Sequence, residues 1–93
     1  MQIPIWEIEI PVEVSHKIRS KHKLDPKVCK EVLFERYSSA YVRKVKGSQY
    51  MAIGMSSEGF VTVFFTYKSN TATVRSVYRS SGWQINLYKG KRK

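Results

Sequence analysis

From Tyr41 onward the chain falls into four consecutive runs of alternating character, residues 41–45, 49–55, 60–67 and 71–78, separated by the turn-forming stretches KG, SSEG and KSN. A period of two sends successive side chains to opposite faces of a pleated strand. Four short runs joined by such tight turns pair with their neighbours in order, which reads as an antiparallel meander.

The N-terminal half carries a different periodicity. Residues 2–10, QIPIWEIEI, still alternate and read as one more strand, placed at a sheet edge because Pro4 has no ladder donor. Pro11 then suits a helix start, and Val14, Ile18 and His22 recur at i, i+4 and i+8, one stripe of a short basic helix ending near Lys23. Asp25-Pro26 has the chemistry of a helix N-terminus, with Asp25 as cap and Pro26 at the first helical position. A second helix is expected to run to about Glu35, burying Val28, Cys29, Val32 and Leu33, and to form a helical hairpin across Lys23 to Asp25. Near the end, Ser80 or Ser81 caps a third helix carrying Trp83, Leu87 and Tyr88. The expected order is β-α-α-β-β-β-β-α. It describes an α+β fold, a small antiparallel twisted sheet with the hairpin on one face and a short C-terminal helix.

No repeat or Pro/Gly-rich linker divides the 93 residues, and 42% apolar composition suffices for one core, so residues 1–93 read as a single domain. Seventeen Lys and Arg against seven Asp and Glu leave a net charge of +10. Residues 13–46 hold ten basic side chains against four acidic ones, and residues 68–93 hold seven with none acidic. A field of that sign on so small a body points to a polyanionic partner. Cys29 is the only cysteine, the N-terminus has no basic region leading into an apolar run, and FVTVFF is far too short to span a bilayer. The expectation is a reduced, cytoplasmic protein with no membrane partner. His16 and His22 stand six apart, roughly 240° around a helix, so they do not converge on a metal. No cofactor and no bound metal are expected.

The order of local patterns resembles a known family. A basic helix closing on KHKLDP, a helix ending EVLF, a YMAIG strand, a VTVFFTY strand and the terminal TVRSVYRSSGWQINLY are similar to the BrnT-like branch of the RelE superfamily, toxins of type II toxin-antitoxin modules. The resemblance spans nearly the whole chain and rests on order and length together. It implies a RelE-like fold, a ribonuclease that cleaves RNA without metal, and silencing by a small antitoxin, which the net charge of +10 leads one to expect to be acidic. Two positions depart from the pattern: Gln84 stands where relatives often carry Glu, and Lys23 where they carry glycine after KH.

Cleavage by attack of a 2′-OH needs a group to take its proton, a group to protonate the leaving oxygen, and cations for the developing charge. Arg79, at a strand end before Ser80-Ser81-Gly82, suits phosphate binding and transition-state stabilisation; the alternative is a solvated arginine covering apolar neighbours. His22 suits acid or base work, or else simply faces the carbonyls at the end of its helix. Tyr78 and Tyr88 are candidates for proton donation and base stacking. Lys17, Lys21, Lys23 and Arg75 suit phosphate contacts, and Trp83 suits stacking on an unpaired base, against the competing readings of solubilising charge and core aromatic. The substrate would be single-stranded or ribosome-associated RNA. Two other classes share these features: a non-catalytic RNA- or DNA-binding module, and an inactive toxin-like interaction protein, which the Gln84 departure would allow.

Overall fold

The structure is a computed structural model and describes residues 3–90. The elements are β1 (Glu7–Glu9), α1 (Val12–Ser20), α2 (Lys27–Lys30), which continues through a wider helical turn at Glu31–Glu35, a single 3-10 turn at Tyr37–Ser39, β2 (Tyr41–Lys46), β3 (Gln49–Ser56), β4 (Gly59–Lys68), β5 (Thr71–Arg79) and α3 (Gly82–Gly90). The fold class is α+β, as expected.

The meander forms in register, β2 on β3, β3 on β4 and β4 on β5, all antiparallel. At the β4–β5 turn Ser69 and Asn70 both take positive φ, 52° and 64°, between the paired Lys68 and Thr71. Two left-handed residues in a two-residue connection match the right-handed twist of the strands on either side.

The sheet as a whole corrects the sequence reading. Its order is β1-β5-β4-β3-β2, and β1 lies parallel to β5, so the sheet is mixed rather than antiparallel. Alternation assigns faces to residues but carries no information about which distant strand supplies the partner. β1 is also short: paired residues run only from Glu7 to Glu9, opposite Thr71 to Thr73. Pro4 and Pro11 bracket it, and the Asn70 carbonyl accepts from both Trp6 N–H and Glu7 N–H where the ladder begins. The preceding segment is held by side chains instead. Tyr37 Oη donates to the Ile3 carbonyl at 2.8 Å, and Tyr67 Oη donates to the carbonyl of Pro4.

α1 begins after Pro11 and ends at Ser20, earlier than the stripe suggested. The chain then turns through Lys23 at φ +55°, and Leu24 N–H reaches back to the Ile18 carbonyl at 3.0 Å. Asp25 caps the next turn as expected, its carboxylate accepting from Lys27 N–H at 3.0 Å. The second helix ends wide, Arg36 N–H bonding the Glu31 carbonyl five residues back at 2.7 Å.

One face of the sheet receives both N-terminal helices. Ile18, Leu24, Val28, Cys29, Val32 and Leu33 bury against Val42, Ala52, Val61, Val63, Val74 and Val77. The approach is close at Gly54, where a Cβ would lie 3.1 Å from Val32 Cγ1. On the other face α3 covers a smaller cluster, with Tyr88 and Leu87 over Met51 and Ile53. Among the described residues no helix is long and apolar enough to cross a membrane.

Candidate functional site

Because β1 pairs only as far as Thr73, among the described residues β5 has no strand on that side from Val74 to Arg79, and the α1–α2 connection meets that free end. Arg79 Nη1 donates to the His22 carbonyl at 3.1 Å across 57 positions of sequence. The His22 and Tyr78 rings lie 6.1 Å apart at 41°. Arg79 also faces Glu58 Oε1 at 3.7 Å, while Glu58 Oε2 accepts from Asp25 N–H at 3.0 Å. The guanidinium is thus aimed from two sides, yet its side chain remains 54% exposed and able to meet an anion. His22, Tyr78 and Arg79, three of the four catalytic candidates, come together here.

Gln84 stands behind them. It is the third residue of α3, fully buried, and its Oε1 accepts from Ser81 N–H at 2.9 Å and Ser81 Oγ at 3.2 Å, the reach-back of a capping box. The same oxygen accepts from Thr62 Oγ1 at 3.0 Å, and Thr62 pairs with Ser80 Oγ at 2.8 Å. Gln84 Nε2 donates to Tyr78 Oη at 3.0 Å. A buried amide with this many partners rigidifies the junction between β5 and α3.

Tyr88, the fourth catalytic candidate, lies elsewhere. It is 6% exposed and packs edge-on against Phe60 at 5.2 Å, so it belongs to the core beneath α3 and does not share the surface of the other three. A tyrosine at helical spacing beside Leu87 fits an inner or an outer position equally well, and the docking angle of α3 decides. Arg75 is the extra residue of a bulge in β5, where the register shifts between Phe64 and Phe65. The bulge breaks the simple alternation that would have put Arg75 and Arg79 on one face. Lys17, Lys21 and Lys23 are all exposed, along α1 and just past its end.

Trp83 is 58% exposed and lines an open groove with Arg43, Lys44, Val45, Met51 and Phe64. Phe64 stacks on Tyr78 at 5.8 Å. A row of rings, His22, Tyr78 and Phe64, therefore leads from Arg79 to that groove. Aromatic faces flanked by cations suit unpaired bases joined by phosphates.

Thr62, Glu58, Phe64, Arg43 and Lys44 enter the site without having been singled out in the sequence. Two carried signals. Thr62 interrupts the apolar run VTVFF, and Glu58 is the one acidic residue between positions 47 and 67. Among the described residues no three His, Cys, Asp or Glu side chains converge as a metal site would require. Cys29 is buried in the core with its thiol pushed up to about 12, chiefly by burial. No family model matches the chain, and no curated protein matches it.

Proposed function

We propose that this protein is an endoribonuclease that cleaves single-stranded or ribosome-associated RNA by attack of a 2′-OH on the adjacent phosphate, without a metal, and that it acts as the toxin of a type II toxin-antitoxin module. The observation that carries the reading is the meeting of Arg79, His22 and Tyr78 at the free end of β5. A phosphate drawn to Arg79 would lie beside an imidazole and a phenol, the proton-transferring groups that such a reaction needs. The toxin assignment and a RelE-like topology rest on the resemblance in element order, and the charge of +10 supports an acidic antitoxin covering the basic surface in the cytoplasm.

The test is incubation of purified protein with end-labelled single-stranded RNA in EDTA. Cleavage is expected to persist and to leave a 2′,3′-cyclic phosphate or 3′-phosphate. An RNA with 2′-deoxy at the target nucleotide is expected to bind equally and stay intact. The groove at Trp83 and Phe64 favours one second reading, a module that binds RNA without cutting it; tight binding with no cleavage would establish that instead.

A further inference from the structure

The Gln84 network fixes more than a helix end, because its hydrogen-bond directions can be deduced. Ser81 N–H can only donate, so the Gln84 atom 2.9 Å from it must be the amide oxygen. The other terminal atom is then the amide nitrogen, which can only donate, and at 3.0 Å from Tyr78 Oη it makes the phenol oxygen an acceptor. The hydroxyl proton of Tyr78 is left to point away from Gln84. Among the described residues no acceptor takes it.

We propose that Gln84 is a positioning residue that sets the polarity of the Tyr78 hydroxyl, presenting it as a proton donor to the oxygen leaving the scissile phosphate. The proposal rests on the ribonuclease reading for its substrate and on the geometry alone for its polarity. In the step, the 2′-oxygen forms its bond to phosphorus while its proton passes to the His22 imidazole. The bond from phosphorus to the 5′-oxygen breaks with its electron pair on that oxygen, and the Tyr78 proton joins it. The phenolate left behind keeps the Gln84 N–H donated to it, so one contact orients the proton before transfer and stabilises the anion after it.

This gives the departure at position 84 a chemical meaning. A carboxylate there would still accept from Ser81 and Thr62, and those donors would hold it ionised. It has no N–H to offer, so Tyr78 would turn its proton inward and donate to it. Glutamine leaves the Tyr78 proton free to be donated away from position 84, and glutamate would consume that donor.

The experiment uses Gln84→Glu, which keeps the contacts that cap α3, with Tyr78→Phe as reference and circular dichroism to verify folding. The first readout is the Tyr78 phenol titration, followed by carbon NMR of ring-labelled tyrosine. Its ionisation is expected to weaken about tenfold or more in Gln84→Glu, because an anion replaces a donor. An unchanged titration would overturn the polarity assignment whether or not the protein cleaves RNA. The second readout is cleavage of RNA whose scissile 5′-oxygen is replaced by sulfur, a leaving group that needs no proton. Both variants are expected to lose about 100-fold on the oxygen substrate and to approach the parent on the sulfur substrate. Equal losses on both substrates would overturn proton donation by Tyr78. A parent that cuts neither substrate would overturn the ribonuclease reading and the proton transfer with it, and the titration would still decide the polarity.

Discussion

Arg79 donates through Nη1 to the main-chain carbonyl of His22 at 3.1 Å, which joins the end of β5 to the turn after α1. The contact uses Nη1 and a backbone oxygen, while Nη2 faces Glu58 Oε1 at 3.7 Å, so an anion meets the half-exposed fork in competition with that carboxylate. Arg79→Ala is therefore expected to abolish cleavage and any growth arrest caused by expression. Its cost in stability should stay below about 1 kcal/mol, because a half-exposed pair contributes little. Thermal melts and toxicity at matched protein abundance check this; a variant as toxic as the parent would remove Arg79 from the site.

Glu58 competes with phosphate for the same guanidinium at 3.7 Å. Glu58→Gln is expected to tighten single-stranded RNA binding more than Glu7→Gln, which makes the same charge change out on β1. Fluorescence anisotropy across a salt series measures both. Four or more phosphate contacts predict a log-log slope of about −2.8 or steeper, from roughly −0.7 per contact on a single strand. Affinity that barely moves with salt would contradict electrostatic binding.

Lys23 holds a φ of +55°, a backbone conformation that a Cβ disfavours. Lys23→Gly is expected to raise stability by about 1 kcal/mol in urea unfolding, net of glycine's greater freedom in the unfolded chain. Lys23→Ala, which removes the charge but keeps the Cβ, should show no such gain. Equal effects would assign the change to charge instead of strain.

Glu31 reaches from the second helix to the β3–β4 turn, accepting from Ser57 N–H at 2.8 Å and Ser57 Oγ at 3.1 Å. The Ser57 N–H is the main reason its carboxyl lies below the ordinary value of 4.5. A lowered carboxylate favours the fold when ionised, so this stabilisation is complete above the ordinary value and is lost as pH falls through the folded one. Melting temperatures of the parent should therefore drop more steeply with acid than those of Glu31→Gln. Parallel curves would show that the contact carries no linkage.

Cys29 is fully buried, and its thiol, pushed up to about 12, stays protonated at neutral pH. The thiolate is the reactive form. Alkylation by iodoacetamide should accordingly be slow in the native protein and rise with denaturant in step with unfolding. Rapid native alkylation would mean that the second helix lifts readily from the sheet.

What the amino-acid order determines by itself is local. The alternating runs name their own faces up to the bulge at Arg75, the KSN stretch makes its primed turn, and Asp25 caps the helix that follows, because each depends on residues a few positions apart. The inward set Val28, Cys29, Val32 and Leu33 was legible for the same reason. The tertiary structure alone decides the rest. That β1 lies parallel to β5, that Tyr88 turns into the core while Gln84 reaches Tyr78 and Thr62, and that the His22 carbonyl meets Arg79 all join residues on different elements. Helix and strand periods state which side of an element is apolar; they do not state which other element will cover it. That choice follows from how the whole chain closes its core and satisfies its buried polar groups together.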